Sequence, residues 1–310
     1  MALTPFHRTP DPDHAPDVRE SAPTRALWRA CELADEDPEN ALAQVNAALA
    51  LGACVDAPRR LGITPLIEVC MGGHGTLASV LLNAGASLER ASHAFFPLLA
   101  AARAERPDAL FTLLLAGADP NARDANGQSA LHEAACMGSA EHVHGLLQAG
   151  ALVDARDHFG QTPLMRACYF GEVFHLLSLL AAGADPHACD GFGDGPIHFA
   201  ARAGSVSRVR VLVAHGADLN ARGAELRTPL MHCVEARASS AAMELTRLGA
   251  LVSGLDAQGI GAIDLARTYE LSVLEGFLLD TELSRHESLE IATELSPAED
   301  ALMGSAKRRL

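Results

Sequence analysis

A short motif, Thr-Pro-Leu, returns along this chain at an almost constant interval, and that interval constrains the fold more than any single residue does. Thr64-Pro65-Leu66, Thr162-Pro163-Leu164 and Thr228-Pro229-Leu230 are the clean copies. Phe96-Pro97-Leu98, Ser129-Ala130-Leu131, Gly195-Pro196-Ile197 and Gly261-Ala262-Ile263 stand in the same slot. The copies start at 64, 96, 129, 162, 195, 228 and 261, so every step is 33 residues except the first, which is 32. A second marker, Gly-Ala, keeps the same phase, with its glycines at Gly52, Gly85, Gly117, Gly150, Gly183, Gly216 and Gly249. Two independent markers in one register describe a chain built from stacked copies of one small unit.

Residues 157–189 show what one unit encodes. Asp157 to Gln161 reads as a tight turn with Gly160 free to take a positive φ. Thr162 is placed to cap a helix, and Pro163 is its first residue, where the missing N–H costs nothing. Leu164, Ala167 and Cys168 share one face, and Gly171 is expected to end the helix and turn the chain. A second helix over about 173–182 is expected to bury Leu176, Leu177, Leu179 and Leu180, with Gly183 closing it as a left-handed cap.

The period near 33, the T-P-L-H motif and the closing Gly-Ala resemble the ankyrin repeat. The resemblance implies an all-α repeat solenoid: stacked helix-turn-helix units joined by extended, β-hairpin-like fingers. The expected organisation is a tail over 1–23, an array over 24–283, and a tail over 284–310 that holds a short helix beginning at the capping-box pattern Ser296-Pro297-Ala298-Glu299. Within the array the units are 24–57 (N-terminal cap), 58–90, 91–123, 124–156, 157–189, 190–222, 223–255 and 256–283 (C-terminal cap). Two units depart from the pattern. The one with Phe96-Pro97-Leu98 has a shorter finger without a turn glycine, and the one after Thr228 carries Ala236-Arg237-Ala238 between its helices.

Composition narrows the chemistry. Aromatic residues make up only 4% of the chain, as small-residue helices stacked edge to edge require. The formal charge of −15 speaks against a nucleic acid as ligand, because phosphate binding relies on clustered Lys and Arg. There is no apolar run long enough to span a membrane, and Met1 to Asp17 lacks the apolar stretch of a secretory leader. Seven cysteines without a disulfide-framework spacing, two of them (Cys70 and Cys168) in a slot that wants a small buried residue, fit reduced thiols and a cytoplasmic location.

No catalytic motif stands out. His132 and Cys136, with His142 and His144 nearby, fall short of a zinc site, because the resemblance gives His132 and His198 a local hydrogen-bonding role. Gly191-Phe192-Gly193-Asp194-Gly195 is glycine-rich but lacks the Lys-Ser/Thr of a phosphate cradle and occupies a finger slot. The expected protein is therefore not an enzyme, carries no metal or cofactor, and binds another protein. The alanine-rich composition suggests a bacterial regulator or secreted effector. The alternative is an enzyme-associated subunit or a metal-dependent enzyme on a repeat scaffold.

In the ankyrin family, partner contacts come from finger tips and from late positions of the first helix, on the concave side. Those slots here include Asn126, His158, Phe159, Phe192, Glu225 and Arg227 on fingers, and Met71, Arg103, Cys136, Tyr169, Phe170, Arg202 and Glu235 on helices. Phe159, Tyr169, Phe170 and Phe192 concentrate the scarce aromatics in two adjacent units, flanked by Arg166 and Arg202. Aromatic and arginine anchors are what interface hot spots favour, so these six form the candidate site. Packing of Phe170 or Phe192 beneath a finger is the competing reading.

Overall fold

The computed structural model describes residues 21–59, 62–89 and 96–286. The expected terminal helix at Ser296 and most of the finger that precedes Phe96 lie outside the described residues. The chain forms two compact units, one over 1–101 with 108–118, the other over 102–107 with 119–310.

In the first unit, α1 (Ala22–Glu32) is capped by Ser21, whose Oγ accepts from Thr24 N at 3.3 Å. A 3-10 turn at Leu33–Asp35 leads to α2 (Pro38–Ala50), capped by Asp37. Trp28 is buried, with the Arg59 guanidinium 4.3 Å from its ring centroid. α3 (Pro65–Met71), α4 (Gly75–Asn83), α5 (Pro97–Ala102) and α6 (Asp108–Leu115) follow as paired helices.

The second unit repeats one design. Its helices are α7 (Ala130–Met137), α8 (Ala140–Gln148), α9 (Pro163–Tyr169), α10 (Val173–Ala181), α11 (Pro196–Arg202), α12 (Val206–Ala214), α13 (Pro229–Glu235), α14 (Ser239–Arg247) and α15 (Ala262–Thr268), and residues 272–286 are helical after them. First helices α7, α9, α11, α13 and α15 pack one on the next, and so do second helices α8, α10, α12 and α14. Helices of seven to nine residues are too short to persist alone in water. Stacking supplies what propensity does not: Leu131, Leu164, Ile197 and Leu230 are buried in the first-helix layer, and Leu146, Leu179, Leu212 and Leu245 in the second. Each fully buried leucine contributes about 1.5–3 kcal/mol. This is an all-α repeat solenoid whose fingers carry only isolated antiparallel bridges among the described residues, Arg123 with Ser129 and Leu255 with Gly261.

The motif chemistry acts as the sequence indicates. Thr64, Thr162 and Thr228 each cap a helix, their hydroxyls accepting at 3.4 Å from the N–H three residues on. Gly160 and Gly183 take φ of +77° and +92°. His132 accepts the Ser129 N–H at Nδ1 (3.1 Å) and donates from Nε2 to Gln161 O of the next unit (3.1 Å). His198 does the same with Gly195 N and Ala221 O, both at 3.0 Å.

Three local expectations need correction. Leu177 is 44% exposed and Leu180 is half-buried, while His175 is buried in their stead. The slot of Leu177 is an outward one: 33 residues away on either side it holds His144 and Arg210, both exposed. His175 accepts from Glu172 N at 2.8 Å and donates to Gly138 O of the preceding unit at 2.7 Å, tying second helices as His132 ties first ones. Gly171 does not turn the chain by a left-handed backbone. α9 ends before it, at Tyr169, and the glycine is needed because a Cβ there would press into the Ala135 carbonyl and meet Ala167 Cα and O at 2.9 and 3.0 Å.

The irregular unit after Thr228 has a physical account. Arg237 stands where a glycine would be easiest and takes φ +56°. In its finger Gly223 replaces the aspartate that organises the others, and Glu225 and Leu226 adopt φ of +55° and +60°. A non-glycine residue held there is strained.

Candidate functional site

The fingers are fixed by one aspartate each. Asp124, Asp157, Asp190 and Asp256 accept at Oδ1 from the N–H groups two and four residues on, at 2.8–3.0 Å. Adjacent tips are joined through backbone, His158 N donating to Asn126 O at 2.9 Å and Gly191 N to Phe159 O at 2.8 Å. Arginines at 123, 156 and 222 clamp the finger bases, each donating to the carbonyl 33 residues later. These rigid tips carry Phe159 and Phe192, which are 57% and 65% exposed.

The second part of the candidate site is the C-terminal end of α9. Tyr169 and Phe170 are 40% and 50% exposed and meet edge to face with centroids 4.6 Å apart. The Arg208 side chain on α12 holds this end in place, donating to Cys168 O and Tyr169 O at 2.8 Å each. The Arg166 guanidinium lies 5.2 Å from the Phe170 centroid, and its Nε is buried without a hydrogen-bond partner. Neither Phe170 nor Phe192 is packed beneath a finger. The six expected residues thus fall in two groups, Arg166–Tyr169–Phe170 on α9 and its end, and Phe159 with Phe192 on joined fingertips. Among the described residues no ring contact links the two groups.

Arg202 is already engaged. It forms an ion pair with the buried Asp194 at the end of the Phe192 finger, and its guanidinium sits 4.9 Å from the Phe199 ring centroid. Asp194 also accepts the Ala224 N–H at 2.9 Å, its carboxylate occupying the space a side chain at Gly223 would need. Burial alone would raise the Asp194 pKa, but His232, the Ala224 N–H and Arg202 outweigh it and hold the carboxyl well below the usual carboxylate range. A polar network continues from there. His232 lies 3.8 Å from Asp194 and 3.3 Å from Glu235, and Arg227 reaches Glu235 at 2.5 Å, Glu225 at 3.3 Å and Asp256 at 3.5 Å. On the preceding units Arg103 pairs with Glu133 at 2.7 Å.

The zinc candidates serve other ends. Both ring nitrogens of His132 are engaged, and burial, the largest cause, lowers its pKa. Burial likewise pushes the Cys136 thiol up to about 11, with Arg166 pulling the other way. Among the described residues no three His, Cys, Asp or Glu side chains are grouped to hold a metal ion. Nor is any described helix long and apolar enough to cross a membrane.

Asp194, Arg208 and Phe199 escaped the sequence reading. Arg208 carried a signal: it stands 33 residues after His175, in the slot that ties second helices to their neighbours. Asp194 did not, because its role depends on the side chain missing at Gly223.

A family model described as ankyrin repeats (3 copies) matches residues 98–188 and 173–252, which together take in half of the 310 residues. No curated protein matches the chain.

Proposed function

Because the chain belongs to the ankyrin-repeat family, we propose that it is a non-enzymatic module that holds a protein partner on the finger-and-first-helix side of residues 119–310. Ankyrin repeats are generally protein–protein interaction modules. The anchors are Phe159, Tyr169, Phe170 and Phe192, with Arg166 and Arg202 beside them. One observation carries the reading. In a chain with few aromatics, four rings stand exposed on two successive units, in slots that stacking does not use. Leaving them in water is unfavourable unless something covers them. The fingertips are hydrogen-bonded to one another, so little ordering entropy is lost on binding. A regulator of another protein in the same cell, or an effector exported to meet one, would use this face alike. We assign the partner to protein rather than nucleic acid on the charge of −15.

The test is affinity capture from the native cells with wild type and with Phe159→Ala/Tyr169→Ala. A specific partner should be retained by wild type and bind the double variant weaker by about 2 kcal/mol or more, while the variant's melting curve stays unchanged. Equal retention, or unfolding of the variant, refutes the assignment of the face.

A further inference from the structure

We propose that Arg166 seats a carboxylate of the partner, from an aspartate or glutamate that lies next to an apolar side chain in an exposed segment of that protein. The inference rests on the reading of this face as partner-binding and specifies what the partner must present.

Four arginines occupy the finger-and-first-helix side of the second unit, and three have their counter-ion. Arg103 has Glu133, Arg202 has Asp194, and Arg227 has Glu235, Glu225 and Asp256. Arg166 is different: among the described residues no carboxylate lies within ion-pair distance of it. Acidic residues outnumber basic ones 39 to 24, so an arginine left without a carboxylate goes against the composition of the chain. The buried Nε of Arg202 and Arg227 also lacks a hydrogen bond, but those side chains engage acids through their other nitrogens. At Arg166 the whole guanidinium waits for an acceptor.

Its surroundings fix the kind of acceptor. One face of the guanidinium is covered by the Phe170 ring, which orients the fork and keeps it partly dry, where a charge-assisted bond gains strength. The half-exposed Tyr169–Phe170 pair beside it suits an aliphatic or aromatic side chain adjacent to the acid in sequence. Readers of phosphorylated segments draw on arginine clusters. Here the neighbouring arginines are neutralised, so a single carboxylate fits and a phosphate dianion does not.

The experiment pans a random linear peptide library against the full-length protein. The chosen peptide is then titrated against wild type, Arg166→Met, Arg166→Lys and Tyr169→Ala, and its Asp→Asn or Glu→Gln counterpart against the same set. We expect selected peptides to share an acid beside an apolar residue. Arg166→Met should weaken binding about tenfold or more. Neutralising the peptide acid should cost as much on wild type and almost nothing further on Arg166→Met, the mark of a direct pair. Lysine should restore only part, since it lacks the planar fork. Arg166→Met should melt as wild type does. Peptides that need Tyr169 but ignore Arg166 overturn this inference and leave the binding face standing. Peptides indifferent to both residues overturn the two together. A selection without acidic peptides, or a loss of stability in Arg166→Met that marks an internal ion pair, also overturns it.

Discussion

Gly171→Ala isolates the close approach between neighbouring units on which the position of Phe170 depends. A Cβ at 171 would be about half an ångström nearer to Ala167 Cα and O, at 2.9 and 3.0 Å, than the ~3.5 Å where carbon contacts become favourable. It would press still harder on Ala135 O of α7. All three are backbone atoms, so no side chain can rotate away and the helices themselves must shift. Overpacking of this kind costs about 1–3 kcal/mol, and three backbone contacts place this case near the upper end. Gly171 has no positive φ, so alanine recovers about 0.4–1 kcal/mol by restricting the unfolded chain. The net expectation is a loss of about 2 kcal/mol, seen as a lower urea midpoint by circular dichroism. Gly183 is the control, because at φ +92° with no atom within 4 Å of its Cβ, alanine suffers only backbone strain. Asparagine tolerates that conformation, so Gly183→Asn should be milder than Gly183→Ala, whereas Gly171→Asn should be worse than Gly171→Ala. A Gly171→Ala protein within about 0.5 kcal/mol of wild type, or an asparagine rescue at 171, would refute the reasoning.

Stability should fall on mild acidification. Burial, their largest cause, lowers the pKa of His132, His175 and His198, so their contribution is complete above the unfolded value of about 6.5 and is lost as pH drops through the folded values. Urea midpoints measured from pH 8 to 5 should decline, less steeply in His175→Gln, and a rise would contradict this. Asp194, with its pKa held low, acts in a separate window. Its contribution is present above the unfolded value of about 4 and lost as pH falls further, so Asp194→Asn should alter the slope only there. Of the seven thiols, exposed Cys54 and Cys189 should react promptly with a disulfide reagent at neutral pH. Cys70 and Cys168, buried and with their pKa pushed up by burial, should react only on unfolding, and modification of either at the rate of Cys189 would contradict their placement.

The fold was legible because a repeat writes each structural need many times over. Thr162 alone suggests a cap, but Thr64 and Thr228 in the same register make it a rule, and all three hydroxyls accept the expected N–H. Where one copy was read by itself, the reading slipped. Leu177 looked like core within 173–182, although His144 and Arg210 in its slot mark that position as outward. The clamps by Arg123, Arg156 and Arg222 and the turn aspartates were periodic too, and they are what hold Phe159 and Phe192 in place. Other features had no periodic signal. Asp194 turns toward its neighbour because Gly223 leaves room, and Arg202 is held in consequence. Arg166 stands without a carboxylate because the acid on the neighbouring first helix, Glu133, is taken by Arg103. Such facts arise between non-identical units, where spacing in the sequence gives no guidance.

The central claim is that the partner lies against the fingers and first helices of the second unit, and site-specific photocrosslinking in the partner complex tests it most directly. Benzoylphenylalanine would be introduced singly at Phe159, Tyr169 and Phe192, and at Leu177, which is comparably exposed but stands on a second helix. The account predicts crosslinks to the partner from 159, 169 and 192 and none from 177. Crosslinks from 177 with silence at the other three would contradict it.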